Sequence, residues 1–274
     1  MKRFLPPAFL LFLGVMSIFY FKSDLPAMAT CDKIPVIMYH SVRSQKEGEY
    51  MIPFEKLESD LKYLKEKGYE TMTCKEIKKA ADKGESLPKK KVILTFDDGY
   101  LNNLTFALPL LEKYDMKAVI AVVGEFTKTY DDVKDENNAY ACLNSEHIKE
   151  LINSGRIEIA NHSYSFHHIG ARRGSMQIKG ESDEHYKNAF CEDTKRCHDY
   201  ILKNTGYSMT TYAYPYGAIT KASLGFLKEM GCETVLTCEG RHNILSNETP
   251  LVLGRYNRDG RLSTSQFMER ADIS

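Results

Sequence analysis

Short apolar runs alternate with amphipathic stretches along nearly the whole chain, and no other feature restricts its fold as much. Ile34-Pro35-Val36-Ile37-Met38-Tyr39, Lys91 to Thr95, Lys117 to Val123, 157–160, Thr211 to Tyr214, 233–237 and 251–254 read as strands, each a brief apolar or β-branched run. Between them, Phe54 to Lys67 places apolar residues at Phe54, Leu57, Leu61 and Leu64, which is the helical period. Helices are also predicted for Asn103 to Tyr114, 144–153, Asp183 to Lys203, 219–229 and 264–271. Such alternation implies a parallel sheet with crossover helices. The 274 residues, 43% hydrophobic, suffice for a single domain built as a closed or nearly closed α/β barrel. Two polar stretches, Glu125 to Asn144 and Gly170 to Glu184, interrupt the pattern and read as solvated loops.

The first residues obey a different rule. Met1, Lys2 and Arg3 precede an apolar run from Phe4 to Phe21, long for the core of a cleaved signal and just long enough to span a bilayer. Ala27-Met28-Ala29 has the small-x-small form of a cleavage site. Residues 1–30 are therefore predicted to be a signal peptide or an N-terminal membrane anchor, with everything after about residue 22 exported. Lys+Arg and Asp+Glu are equal at 37 each, so no basic field exists to attract nucleic acid. Seven cysteines leave at least one unpaired in an oxidising compartment, and none of their spacings reads as a metal site. Cys191 and Cys197, six apart on a predicted helix, point to different faces, and most of the seven read as small core hydrophobes. Met28-Ala29-Thr30 is a poor lipoprotein signal ahead of Cys31.

Three segments carry chemistry, and each follows a predicted strand. Thr95-Phe96-Asp97-Asp98-Gly99 ends a buried run with adjacent carboxylates, which repel one another and lose hydration unless a cation or proton satisfies them. Asn161-His162-Ser163-Tyr164-Ser165-Phe166-His167-His168 emerges from the same rim of a parallel barrel. His162 and His167 are five apart, a spacing that converges only through a turn. Two neutral imidazoles with a carboxylate and open positions make a catalytic divalent-metal site, with zinc the commonest occupant. Tyr212-Ala213-Tyr214-Pro215-Tyr216-Gly217 forms a rigid aromatic turn suited to packing on a sugar ring and aiming a backbone N–H into a site. Tyr214, Pro215 and Tyr216 are its predicted substrate contacts.

In this order the three motifs resemble those of the NodB-like polysaccharide deacetylases, carbohydrate esterase family four, over roughly residues 34 to 271. The resemblance implies a distorted (β/α) barrel, with 31–274 as the catalytic domain. It also implies Asp97 as general base, Asp98, His162 and His167 as ligands of a divalent metal (Zn2+, or Co2+, Ni2+ or Mn2+), and an acetylated glycan as substrate. The His spacing and the opening Met38-Tyr39-His40 look most like the poly-N-acetylglucosamine deacetylase branch. Two departures matter. Ala213 stands where many members carry an Arg that supports the base, which leaves Arg255 as the candidate for that role. Leu253-Gly254-Arg255 replaces a Leu-x-His that supplies the acid, and His40, at the end of the first predicted strand, takes that part by resemblance to the biofilm deacetylases. The N–H of Tyr216 is then expected at the oxyanion. An O-acetyl esterase would use the same site. A catalytically silent glycan-binding envelope protein is the other alternative, and it gives no reason to keep both Asp97 and Asp98.

Overall fold

The computed structural model describes residues 33–43 and 45–274; the predicted export segment 1–30 and Cys31 lie outside them. Strands β1 (Lys33–Ile34), β2 (Val36–Tyr39), β3 (Ser41–Arg43) and β4 (Met51–Pro53) precede helix α1 (Phe54–Glu66). Strand β5 (Glu70–Thr71), α2 (Cys74–Lys83), β6 (Lys91–Phe96), α3 (Leu108–Lys113), β7 (Ala118–Val122), α4 (Gly124–Val133), α5 (Ser145–Asn153) and β8 (Ile157–Asn161) follow. The chain continues through α6 (Asp183–Thr205), β9 (Thr211–Ala213), α7 (Lys221–Glu229), β10 (Thr234–Leu236), β11 (Asn243–Ile244), β12 (Leu251–Leu253), β13 (Tyr256–Asn257) and α8 (Thr264–Arg270).

Nine of these strands form one sheet in the order β12-β10-β9-β8-β7-β6-β2-β13, with β5 also on β6, and every pairing is parallel. The two edge strands of that path, β12 and β13, are consecutive in sequence and joined only by Gly254-Arg255. The sheet thus curls into a nearly closed barrel, as the alternation predicts. Gly254 is required at the seam: a Cβ there would lie 2.3 Å from the Glu239 carbonyl oxygen, while Asn243 bonds both its N–H and its carbonyl.

Period-two alternation sorts the strand side chains. Val92, Leu94 and Phe96 of β6, Ile120 and Val122 of β7, and Ile157 and Ile159 of β8 face outward into the main core beneath the helices. Val36, Ile93, Val119, Ala121, Ala160, Ala213, Leu236, Leu251 and Leu253 fill the inside, where small residues suit the confined space. Four polar residues extend these inward rows beyond the C-terminal strand ends. Val36 and Met38 lead to His40, Ile93 and Thr95 to Asp97, Ala160 to His162, and Leu251 and Leu253 to Arg255.

The structure departs from the sequence reading in a few places. Helix α2 was not predicted; a Thr73–Glu76 capping box starts it and only Cys74, Ile77, Lys78 and Ala80 are buried. Helix α4 occupies the first half of the stretch read as the solvated loop Glu125 to Asn144, burying only Gly124 and Thr127. The predicted helix over 103–114 begins as a π-turn at Asn103–Ala107 and becomes α-helical from Leu108, where Pro109 lacks the N–H that an unbroken ladder would use. Cys74, Cys142, Cys191, Cys197, Cys232 and Cys238 are all free thiols, four of them buried.

Candidate active site

Asp97, Asp98, His40, His162, His167, Tyr216 and Arg255 gather at the C-terminal rim of the barrel. The first carboxylate is 2% exposed, and its backbone N–H continues the ladder to the Tyr39 carbonyl at 3.0 Å. Arg255 crosses the seam to meet it with two parallel hydrogen bonds, Nη1 to Oδ1 at 2.7 Å and Nη2 to Oδ2 at 2.8 Å. The guanidinium is itself fixed, because Nε donates to the Thr237 carbonyl at 2.9 Å and Nη1 to Thr95 Oγ1 at 3.2 Å. Arg255 thereby holds Asp97 from the seam between the two edge strands, the contact expected of the candidate that sequence analysis named. Burial pushes the Asp97 carboxyl up, but the Arg255 and His162 charges outweigh it and hold the group below its ordinary value.

Asp98 turns the other way. Its backbone is left-handed at φ 71°, a strained conformation for a residue other than glycine, and Gly99 continues the turn at φ 65°. The turn carries Oδ1 to 2.9 Å from His167 Nε2 and 3.5 Å from His162 Nε2. His162 is 2% exposed, and its Nδ1 lies 2.8 Å from the Ala213 carbonyl oxygen. Nδ1 must carry the proton to bond there, which leaves Nε2 as the nitrogen that faces Asp98. His167 stacks on Tyr216 with centroids 5.1 Å apart and meets Phe126 edge-on.

These three residues fit a divalent cation. One ligand atom from each lies within 4.8 Å of the others. Asp98 Oδ1 is buried without a well-aligned hydrogen-bond partner, and Arg255 already neutralises Asp97, which leaves a carboxylate facing two imidazoles. A buried donor set of that composition is stable when a cation occupies its centre. Burial acts upward on the Asp98 carboxyl, but the imidazoles of His162 and His167 hold it well below the ordinary range.

His40 lies at the same rim. Its carbonyl accepts from Asn103 Nδ2 at 2.9 Å, its ring meets Tyr50 edge-on at 4.8 Å, and its Nδ1 is buried with no partner. Burial lowers its pKa, with Asp97 and Asp98 working in the other direction. Tyr216 is half-buried, with a left-handed backbone at φ 57°. The loop after His168 supports it: Gly174 packs so closely that a Cβ would lie 2.7 Å from the Pro215 carbonyl oxygen and 3.1 Å from the Tyr216 ring. That loop is pinned in turn by Arg172, which bonds the Met176 carbonyl and Glu181 at 2.6 Å each. Two of the three residues predicted to contact substrate sit elsewhere. Tyr214 is fully buried, its hydroxyl donating to Ser223 Oγ at 2.8 Å, and Pro215 is buried beneath Gly174, so both pack the turn while Tyr216 alone reaches the rim.

Residues 84–235 match the family described as polysaccharide deacetylase, and the chain belongs to that family. It is 28% identical over 221 residues to the Bacillus subtilis protein YxkH, covering 80% of this chain and 68% of that one. Over 226 residues it is 24% identical to the Escherichia coli K12 poly-β-1,6-N-acetyl-D-glucosamine N-deacetylase, covering 74% of this chain but only 33% of that longer enzyme. A solved de-N-acetylase from Aggregatibacter actinomycetemcomitans superposes with a TM-score of 0.76 at 24% identity, covering 88% of this chain and all of that one, a likeness of fold.

Proposed function

We propose that the protein is a metal-dependent hydrolase that removes N-acetyl groups from N-acetylglucosamine units of an extracellular polysaccharide. The observation that carries the reading is the convergence of Asp98, His162 and His167 beside a separately oriented carboxylate, Asp97. That the Escherichia coli relative is an N-deacetylase supports the amide as substrate.

A divalent cation held by Asp98, His162 and His167, zinc being the commonest for such donors, supplies Lewis acidity toward the acetyl carbonyl and the attacking water. Asp97 takes the proton of that water as the new C–O bond forms. Its Oδ2, 3.9 Å from His162 Nε2, is the oxygen that faces the ligand cluster, and Arg255 keeps it ionised and aimed. The N–H of Tyr216 donates to the developing oxyanion. His40 donates a proton to the amide nitrogen as the C–N bond breaks, because an amine leaves poorly as an anion. Acetate and a glucosamine unit result.

The catalytic unit is residues 31–274. Residues 1–30, with their basic start and apolar run, serve as a signal or membrane anchor and place the site outside the cytoplasmic membrane.

Acetate release from a panel of acetylated glycans, with and without a chelator, tests the reading. Release should be greatest on β-linked poly-N-acetylglucosamine and should stop on chelation. Full activity after metal removal sinks it. His40→Ala should lower amide turnover by roughly 10² to 10⁴ with metal content unchanged. The loss should shrink on an activated aryl acetate, whose leaving group needs no proton. Unaltered amide turnover would reduce His40 to a packing residue.

A further inference from the structure

His162 is fixed twice, by its backbone N–H to the Val122 carbonyl at 3.0 Å and by its Nδ1 to the Ala213 carbonyl, whereas His167 stands five residues on, beyond a turn. That turn opens on Ser163 at φ 71°, a backbone conformation that non-glycine residues resist, so something must hold it. Helix α6 does so from below. Asp193, 6% exposed on the buried side of α6, accepts from the Tyr164 N–H at 2.8 Å, the Ser165 N–H at 2.8 Å and Ser165 Oγ at 2.9 Å. The next residue of the helix contributes its carbonyl: Asn161 Nδ2 donates to Thr194 O at 2.9 Å, while Asn161 Oδ1 accepts from the Ser163 N–H at 2.8 Å. Arg196, one helical turn further, lies 3.9 Å over the Tyr164 ring.

A carboxylate buried in mid-helix is costly to desolvate, and its hydrogen-bond partners all come from this one turn. We infer that Asp193 is a positioning residue for His167, fixing the turn between the two imidazoles and thereby setting the affinity of the site for its cation. The inference rests on the metal-centre reading given above. Groups that hydrogen-bond to and orient metal ligands typically change metal affinity by about 10- to 100-fold when altered. Asp193→Asn should fall in that range, because its amide NH2 would confront a donor where the carboxylate accepted.

The test is a titration of the metal-stripped full chain with Zn2+ against a chromophoric chelator, alongside turnover at limiting and saturating Zn2+. Asp193→Asn should bind Zn2+ about 10- to 100-fold more weakly, lose turnover at limiting Zn2+, and regain most of it at saturation. A merely structural role would give a loss that excess Zn2+ does not restore, and that result overturns the inference, as does a folded variant with unchanged affinity. Ser165→Ala removes one of the three bonds and should weaken binding in the same direction by less. Should Asp193→Asn fail to fold, unchanged affinity in Ser165→Ala is decisive against the proposal. Absence of Zn2+ binding by the unaltered protein is the separate signature that the metal-centre reading itself has failed, and it takes this inference with it.

Discussion

Two buried aspartate–arginine pairs, their arginines only three residues apart in sequence, differ in how far each carboxylate is saturated. Asp60, on α1, is fully buried and accepts from four donors: Arg258 Nε at 2.7 Å and Nη2 at 3.1 Å, Tyr39 OH at 3.2 Å and Thr264 Oγ1 at 2.6 Å. All the lone-pair directions of that carboxylate are taken, so it joins β2, β13, α1 and α8 and has nothing left for a ligand. Among the described side chains Asp97 accepts only the two Arg255 bonds, and it keeps its remaining lone pairs toward His162 and the cleft. The same kind of ion pair is closed to ligands when saturated and, when half-saturated, keeps the lone pairs that the proposed base requires.

That contrast can be broken at either end. Asp97→Asn should reduce turnover by roughly 10² to 10⁴ while the protein still binds one divalent ion, since a base is needed only for proton transfer. Metal analysis of the purified variant checks this, and loss of the ion would mean that Asp97 is the ligand and Asp98 the base. Asp60→Ala should do the reverse. Leaving Arg258 buried and unpaired should cost about 3–5 kcal/mol in urea unfolding, while the folded fraction keeps its turnover. Equal loss of activity per folded molecule would erase the distinction between the two pairs.

The smaller effect concerns pH. As the proposed base Asp97 must be a carboxylate, so activity should be lost as pH falls through its folded pKa, which lies below the ordinary 3.8. Its contribution to stability is likewise complete above the unfolded value and lost as pH falls through the lower folded one. In Arg255→Met, burial is no longer opposed by the guanidinium, so the folded pKa should rise above the unfolded value. The acid limb of kcat/KM should then move to higher pH, and the stability contribution should reverse, present at low pH and lost as pH rises through the folded pKa. An unmoved acid limb would show that Arg255 does not govern the ionisation of Asp97.

Much of this was legible in the sequence because the barrel obeys a simple rule. A residue two places past an inward strand residue faces the cleft, which is why His40, Asp97 and His162, each read at the end of a predicted strand, share one rim. Arg255 could be named only as a candidate, since nothing local links it to a residue 158 positions earlier. Tyr214 was misread because a tyrosine with its hydroxyl satisfied by a buried serine looks the same in sequence as one waiting for a sugar. Helices α2 and α4 escaped because each buries few apolar residues, too few for a period to stand out. Asp193 left no signal at all: an acidic residue in a polar helix reads as solvated until the turn beneath it is seen.

The seam between β12 and β13 ties activity to the completion of the fold. Every candidate metal ligand lies between residues 98 and 167, past the ends of β6 and β8, which β7 joins directly, but Arg255, the partner of the proposed base, arrives only when its segment docks against β2. A molecule whose last strands have come loose would keep its ligand triad and still be a poor catalyst. Loss of turnover should therefore report fraying of the C-terminal edge well before the rest of the barrel gives way.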